Sequence, residues 1–151
     1  MITPRSSVKL CSAAVLFAGI VLLGSCARIS QSWYLSRDDA KIRHAGEAIA
    51  AAKNNAARSA AYADRADAYA DKARYSRVMK LIADAEYNRL FDLATQDYNQ
   101  AIALAPDNAD MYYRRGNAYY SRASLDMIKG PTSAFLAPAK TDFSWAAEMN
   151  R

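Results

Sequence analysis

Few residues of this chain could do chemistry. His44 is its one histidine, and Cys11 and Cys26 are its two cysteines. His44 falls in a leading helical segment, and no His/Cys cluster suits zinc. No glycine-rich phosphate loop is present. Asp38-Asp39 is a compact acidic pair, but at the head of a helical pattern it fits a helix cap better than an acid–base dyad. The remaining Asp and Glu recur at helical spacing, the usual pattern of a solvated face. No catalytic residue, metal ligand or cofactor is expected, and the one atom with a defined chemical prospect is the Cys26 thiol.

That thiol closes an ordered series. Arg5 and Lys9 form a short positive region, Leu10 to Leu23 is apolar except at Cys11, Ser12 and Gly19, and small residues then lead to Cys26. Positive, apolar and small in that order is the pattern of a secretory signal, and the run is short for a membrane span of about 20 residues. Leu23-Gly24-Ser25-Cys26 resembles the lipobox of bacterial lipoproteins. The resemblance implies removal of residues 1–25, a covalent lipid on Cys26 and a tether over 26–37. It also explains a lone cysteine in an oxidising compartment, since Cys11 would go with the signal. Ala27 rather than Asp after the cysteine implies the outer membrane, on its periplasmic face. An uncleaved anchor over about 8–27 is the alternative.

The formal charge of +5 falls by two when Arg5 and Lys9 are removed, and the remaining charge is mixed along the chain, Asp and Glu interleaved among Arg and Lys. Such mixing does not suit nucleic acid, and an ordinary solvated helical surface accounts for it. The chain after Cys26 is long enough for one domain with a modest core.

Positioning falls to helices. No glycine or proline occurs from Glu47 to Ala105, the segment is crowded with Ala, Arg, Lys, Leu, Asp and Tyr, and alternating β-branched runs are missing. The fold class is all-α. Within it, Tyr62-x2-Arg65-Ala66-x2-Tyr69 recurs as Tyr112-x2-Arg115-Gly116-x2-Tyr119, with Lys72 and Arg122 three residues further on. Ala94-x3-Tyr98-x2-Ala101, closed by Pro106, recurs as Ala139-x3-Phe143-x2-Ala146. These two halves resemble the tetratricopeptide (TPR) pattern, closest over Asp97–Ala109 and Tyr112–Tyr120. The expected array holds about two helical hairpins over 38–151, after a leading helix over about 38–53. Small Ala66 and Gly116 admit the facing helix, Pro106 ends a helix, and Asp107 or Asn108 caps the next.

Both connections exceed the family's length. The first insertion, Tyr75 to Asn88, is helix-periodic through Val78, Leu81, Ile82 and Ala85 and is expected to lengthen the first helix. The second, Ser124 to Pro138, contains Gly130-Pro131 and is expected to be a loop carrying Met127, Ile128, Phe135 and Leu136. A long hairpin or coiled coil is the other architecture, disfavoured by the absence of sustained heptads.

By the resemblance, the first helices of successive pairs line a groove. The second unit would present Asp110, Tyr113, Asn117, Tyr120 and Ser121 for partner binding, and the first Ala60, Ala63, Asp67, Ala70 and Asp71. Aromatic area beside hydrogen-bonding groups suits an extended peptide. Tyr113 stands where chaperone-binding relatives carry a lysine, so chaperone tails are not implied. Arg151 follows directly on the last helix, so Phe143, Trp145 and Met149 form an edge expected to meet a second copy, giving a homo-oligomer, or a partner. Cover by the 124–138 loop is the competing expectation. The function expected is that of a lipid-anchored envelope adaptor docking an envelope protein or peptide. A structural subunit assembling through its edge and a cell-wall hydrolase using acidic residues are the rivals.

Overall fold

The computed structural model describes residues 35–126 and 134–151. The lipobox-like segment, Cys26 and most of the tether lie outside the described residues. Residues Arg37–Arg151 form one compact unit, and the contacts below belong to it. The described elements are α1 (35–51), α2 (Asn55–Val78), α3 (Asp84–Leu104), α4 (Ala109–Asp126) and α5 (Leu136–Met149), with no strand among the described residues. Helix α2 packs most extensively on α3 and α4 on α5, while α4 also touches both α2 and α3. The expected array of two hairpins behind a leading helix is the one observed.

Short polar residues start the helices where the sequence places them. Asn54 accepts a hydrogen bond from the Ala57 N–H (2.8 Å) at the head of α2, and Asn108 accepts one from the Asp110 N–H (3.0 Å) at the head of α4. Each satisfies an amide that a helix start otherwise leaves unpaired. Pro106 directly follows Ala105, the last residue before the turn, and Pro138 sits in the first turn of α5, where a missing N–H costs nothing.

Asp38 and Asp39 are not caps. They lie inside α1, where Asp38 is fully buried beside Arg37 and Asp39 accepts from Lys72 of α2. The first insertion also divides differently from its periodicity. Helix α2 ends at Val78 and α3 begins at Asp84, so Val78 and Ala85 lie on different helices, with Leu81 and Ile82 between them. The stop is a glycine-type helix end built without glycine. Lys80 takes φ 54°, its N–H reaches the Arg77 carbonyl (3.1 Å), and the Leu81 N–H reaches Ser76 (2.8 Å). Arg77 then pairs with Asp84 across the turn. A left-handed conformation is unfavourable for a residue with a Cβ, so Lys80→Gly is expected to stabilise the domain by roughly 0.5–1 kcal/mol in chemical unfolding. An unchanged or lowered midpoint would show that the lysine side chain contributes more than its backbone strain. The second insertion is narrower than its sequence suggests, because 124–126 continue α4 and 136–138 open α5.

The core is a smooth rod against large side chains. Helix α2 buries Ala61, Ala63, Ala66, Ala68 and Ala73 with Ser59 and Ser76, and α3 lays Tyr87, Leu90, Phe91 and Tyr98 against it. Small residues let the axes approach closely enough for the Ser59 hydroxyl to donate to the Ala101 carbonyl of α3 (2.8 Å). In the second unit a Cβ on Gly116 would stand 2.8 Å from the Phe143 ring, which gives that glycine its steric reason. Met111 and Ala118 of α4 join Ala63, Tyr98 and Ala101 in one cluster, and this joins the α2–α3 hairpin to the α4–α5 hairpin.

Candidate functional site

The two units repeat a charged clasp as well as an apolar pattern. In the first, Arg65 of α2 grips Asp97 of α3 through Nε and Nη2, both at 2.7 Å. In the second, Arg115 of α4 grips Asp142 of α5 in the same way, at 2.8 and 2.7 Å. Each guanidinium lies near the ring of a tyrosine one turn back, Tyr62 at 5.5 Å and Tyr112 at 5.7 Å. Asp97 and Asp142 are buried, so these two carboxylates are not on a solvated face as the helical spacing of acids suggested. Hydrogen bonding to Asp97 raises the Arg65 pKa above its ordinary value, and Asp142 does the same for Arg115. The signal was present in sequence: Asp97-Tyr98 and Asp142-Phe143 recur at matching positions, as Arg65 and Arg115 do.

Further arginines bind the units to one another. Arg114 of α4 donates to Asp64 (2.8 Å) and Asp67 (3.0 Å) of α2, and Asp67 also accepts from the Tyr98 hydroxyl. Arg122 donates to Asp92 (2.8 Å) and Asn88 (3.1 Å) of α3, with the Phe135 ring centred 4.0 Å from its guanidinium carbon. Arg115 also reaches Asn99 of α3 (2.6 Å). The acidic residues closest to the centre of the array therefore hold helices together.

Three surfaces receive the expected binding residues. Asp110 and Tyr113 line an open cleft of about 1080 Å³ together with Phe143 and Met149. The rest of its wall comes from Leu104 to Ala109 across the α3–α4 turn, from Ala146 and Ala147 of α5, and from Asn150 just past its end. Residues assigned by sequence to separate surfaces, the groove and the edge, thus share one wall. Tyr113 is 53% exposed there, and its ring lies 5.8 Å from Phe143. Asn117 and Ser121 line a smaller groove of about 290 Å³ between α2 and α4, facing Asp71, Arg74 and Arg114. Tyr120 is 55% exposed and lines none of these hollows. Trp145 is half-exposed on another face of α5, beside Lys140 and Glu148, with its ring 6.5 Å from Tyr112.

On the first unit Ala63 is fully buried beneath α4 and presents nothing to a groove, while Asp67 is occupied by Arg114 and Tyr98. Of the long connection, Phe135 stacks on Tyr119, whereas Met127 and Ile128 lie outside the described residues. His44 is exposed on α1 in a hollow between α1 and α2, with Lys41 and Arg43 nearby. Among the described residues no group of three or more His, Cys, Asp or Glu is placed to hold a metal ion, and no helix is long and apolar enough to cross a membrane.

A family model described as TPR repeat matches residues 91–121, from the middle of α3 through the Pro106 turn and into α4. No curated protein and no solved structure matches the chain. The fold is an all-α, TPR-like helical array. Repeats of this kind build extended surfaces for protein partners.

Proposed function

We propose that this chain is a docking adaptor of the bacterial envelope, tethered by a lipid on Cys26 and binding a partner protein through α4 and α5. The observation that carries the docking half is the cleft at Tyr113. A tyrosine more than half exposed, its ring tilted against Phe143 beside Met149 and bordered by Asp110, combines apolar area with a polar rim. Exposed apolar area of this kind marks interaction surfaces, and aromatic anchors carry much of the energy where proteins meet. The anchoring half is supported by the order of Arg5 and Lys9, the apolar run and Leu23-Gly24-Ser25-Cys26.

The test uses the full chain expressed in a bacterial envelope and solubilised in mild detergent. It is immobilised beside a triple variant, Tyr113→Ala, Asn117→Ala, Tyr120→Ala, and beside Cys26→Ser. Envelope proteins retained by the wild type and lost by the triple variant support docking through α4. Equal capture by both would move recognition elsewhere, to the Trp145 face or to assembly among copies. Cys26→Ser is expected to lack the mass of the acyl chains. If its mass is unchanged, the lipid anchor is wrong.

A further inference from the structure

The cleft at Tyr113 is the place in the second unit that α4 fills in the first. Residue for residue, Tyr113 matches Ala63, Phe143 matches Tyr98, Ala146 matches Ala101 and Met149 matches Leu104. In the first unit, Ala63, Tyr98 and Ala101 are covered by Met111 and Ala118 of α4. Their counterparts in the second unit line open space. A socket repeated in register accepts the same kind of object, and α4 is an amphipathic helix entering with an apolar residue.

The charge of the socket differs from that of its model. In the first unit the incoming helix places Arg114 against Asp64 and Asp67 of α2. The matching positions in the second are Arg114 itself and Asn117, so that acidic pair is not repeated. Two carboxylates border the cleft elsewhere, Asp107 and Asp110, the latter 3.8 Å from the Arg114 guanidinium behind it, and neither Lys nor Arg is among the described residues lining the cleft. The C-terminal ends of α3 and α5, at Leu104–Ala105 and Met149–Asn150, also face it. Helix C-termini carry partial negative charge. The opposing N-terminus of α4 is capped by Asn108 and fronted by Asp110.

We infer that the cleft of Asp107, Asp110, Tyr113, Phe143, Ala146 and Met149 accepts an amphipathic helix of a partner protein, its apolar stripe on Tyr113 and Phe143 and lysine or arginine along its rim. This rests on the docking function proposed above and specifies the ligand. The occupant reads as i, i+3 or i+4, i+7 apolar anchors, the spacing by which a helix seats in a groove.

Three synthetic peptides of 18 residues test it by fluorescence anisotropy on the full chain in mild detergent. One is helical with leucines at those spacings and lysines on both flanks. The second replaces lysine by glutamate, and the third keeps the lysines but breaks the helix with two prolines. The lysine helix is expected to bind at least tenfold more tightly than either of the others. Tyr113→Ala should weaken it about thirtyfold, the effect of losing an aromatic hot spot. Asp107→Asn with Asp110→Asn should weaken it several-fold and flatten its salt dependence, as rim charges do. Arg89→Ala, on the exposed side of α3, should leave it unchanged. Because Tyr113 is largely exposed, its variant should melt like the wild type, and that is checked first.

Equal binding of the lysine and glutamate helices overturns the charge assignment, and equal binding of the broken peptide overturns the helix. Concentration-dependent association of the chain alone, abolished by Tyr113→Ala, makes a second copy the occupant and overturns the partner helix. If no peptide binds while Tyr113-dependent capture of an envelope protein stands, the helix assignment fails and docking survives. Failure of both removes both.

Discussion

Arg65→Met and Arg115→Met each lower the stability of the domain by about 2–4 kcal/mol, whereas Arg89→Met leaves it nearly unchanged. The side chains are alike and only their surroundings differ. Arg65 and Arg115 are the cations that reach Asp97 and Asp142, carboxylates whose side chains are 8% and 4% exposed. Removing the cation leaves a buried charge without a partner, which costs far more than the pair itself contributes. The arginines are 28% and 19% exposed, so water can partly replace them, and the lower part of the range for buried pairs applies. Arg89 pairs with Glu86 on an open helix face, where solvent screens the interaction and long side chains lose entropy in making it.

Urea unfolding followed by circular dichroism measures the difference, with midpoint shifts of more than about 1 M for the two clasp variants. A second arm separates the lost cation from lost packing. Arg65→Met combined with Asp97→Leu should recover at least half of the loss, because the orphaned charge is gone and its volume is filled by an apolar group. If Arg65→Met and Arg89→Met unfold at the same midpoint, the clasps are decorative. If the double variant is worse than the single, the penalty lies in the guanidinium's packing on Tyr62.

Tyr98→Ala should cost about 4 kcal/mol and Tyr98→Phe about 1 kcal/mol, the two differing by the ring. Tyr98 is 1% exposed and packs among Ala63, Ala66, Ala94 and Ala101, so truncation opens a cavity between α2, α3 and α4. Its hydroxyl donates to Asp67, which also receives Arg114. Burial pushes the phenol well above its ordinary value of 10.0, and the charge and hydrogen bond of Asp67 push it further, against a smaller opposing effect of Arg114.

The pH consequence follows from that direction. A phenol held protonated in the folded chain contributes its full stability below about pH 10, where the unfolded chain is protonated too. Above that value the unfolded chain releases a proton that the folded chain retains, and stability falls by up to about 1.4 kcal/mol per pH unit. Tyr98→Phe should remove that slope between pH 10 and 11 while leaving the other tyrosines to titrate as before. Parallel alkaline limbs for wild type and Tyr98→Phe would show that Tyr98 ionises in the folded chain as readily as in the unfolded one.

What was legible in the sequence is what local chemistry decides. The absence of Gly and Pro over 47–105 and the shortage of β-branched runs made the domain helical, and the Ala94, Tyr98, Ala101 and Pro106 spacing placed the end of α3. A cap for α4 was readable at Asp107 or Asn108, because capping depends on residues two or three positions apart, and Asn108 is the one that fills it. Ala66 and Gly116 were readable as points of close approach for the same reason of size. The end of α2 was less legible. Its apolar spacing continues through Leu81, Ile82 and Ala85, and the stop is made by a lysine adopting a conformation usually left to glycine. Asp38-Asp39 misled in the opposite way, since a pair suited to capping lies inside α1 with one member buried.

Only the tertiary structure decided which charges meet. Asp97 and Asp142 follow the same helical spacing as the exposed acids, and burial is a property of the partner face, which lies 32 and 27 residues away in sequence. The cleft has the same origin. Asp110 and Tyr113 on α4 and Phe143 and Met149 on α5 read as two surfaces along the chain, and antiparallel packing brings one helix's beginning beside the other's end. Repetition specified the modules because a short period is written in neighbouring residues. Which socket was filled and which stayed open depended on contacts between helices that the period alone does not contain.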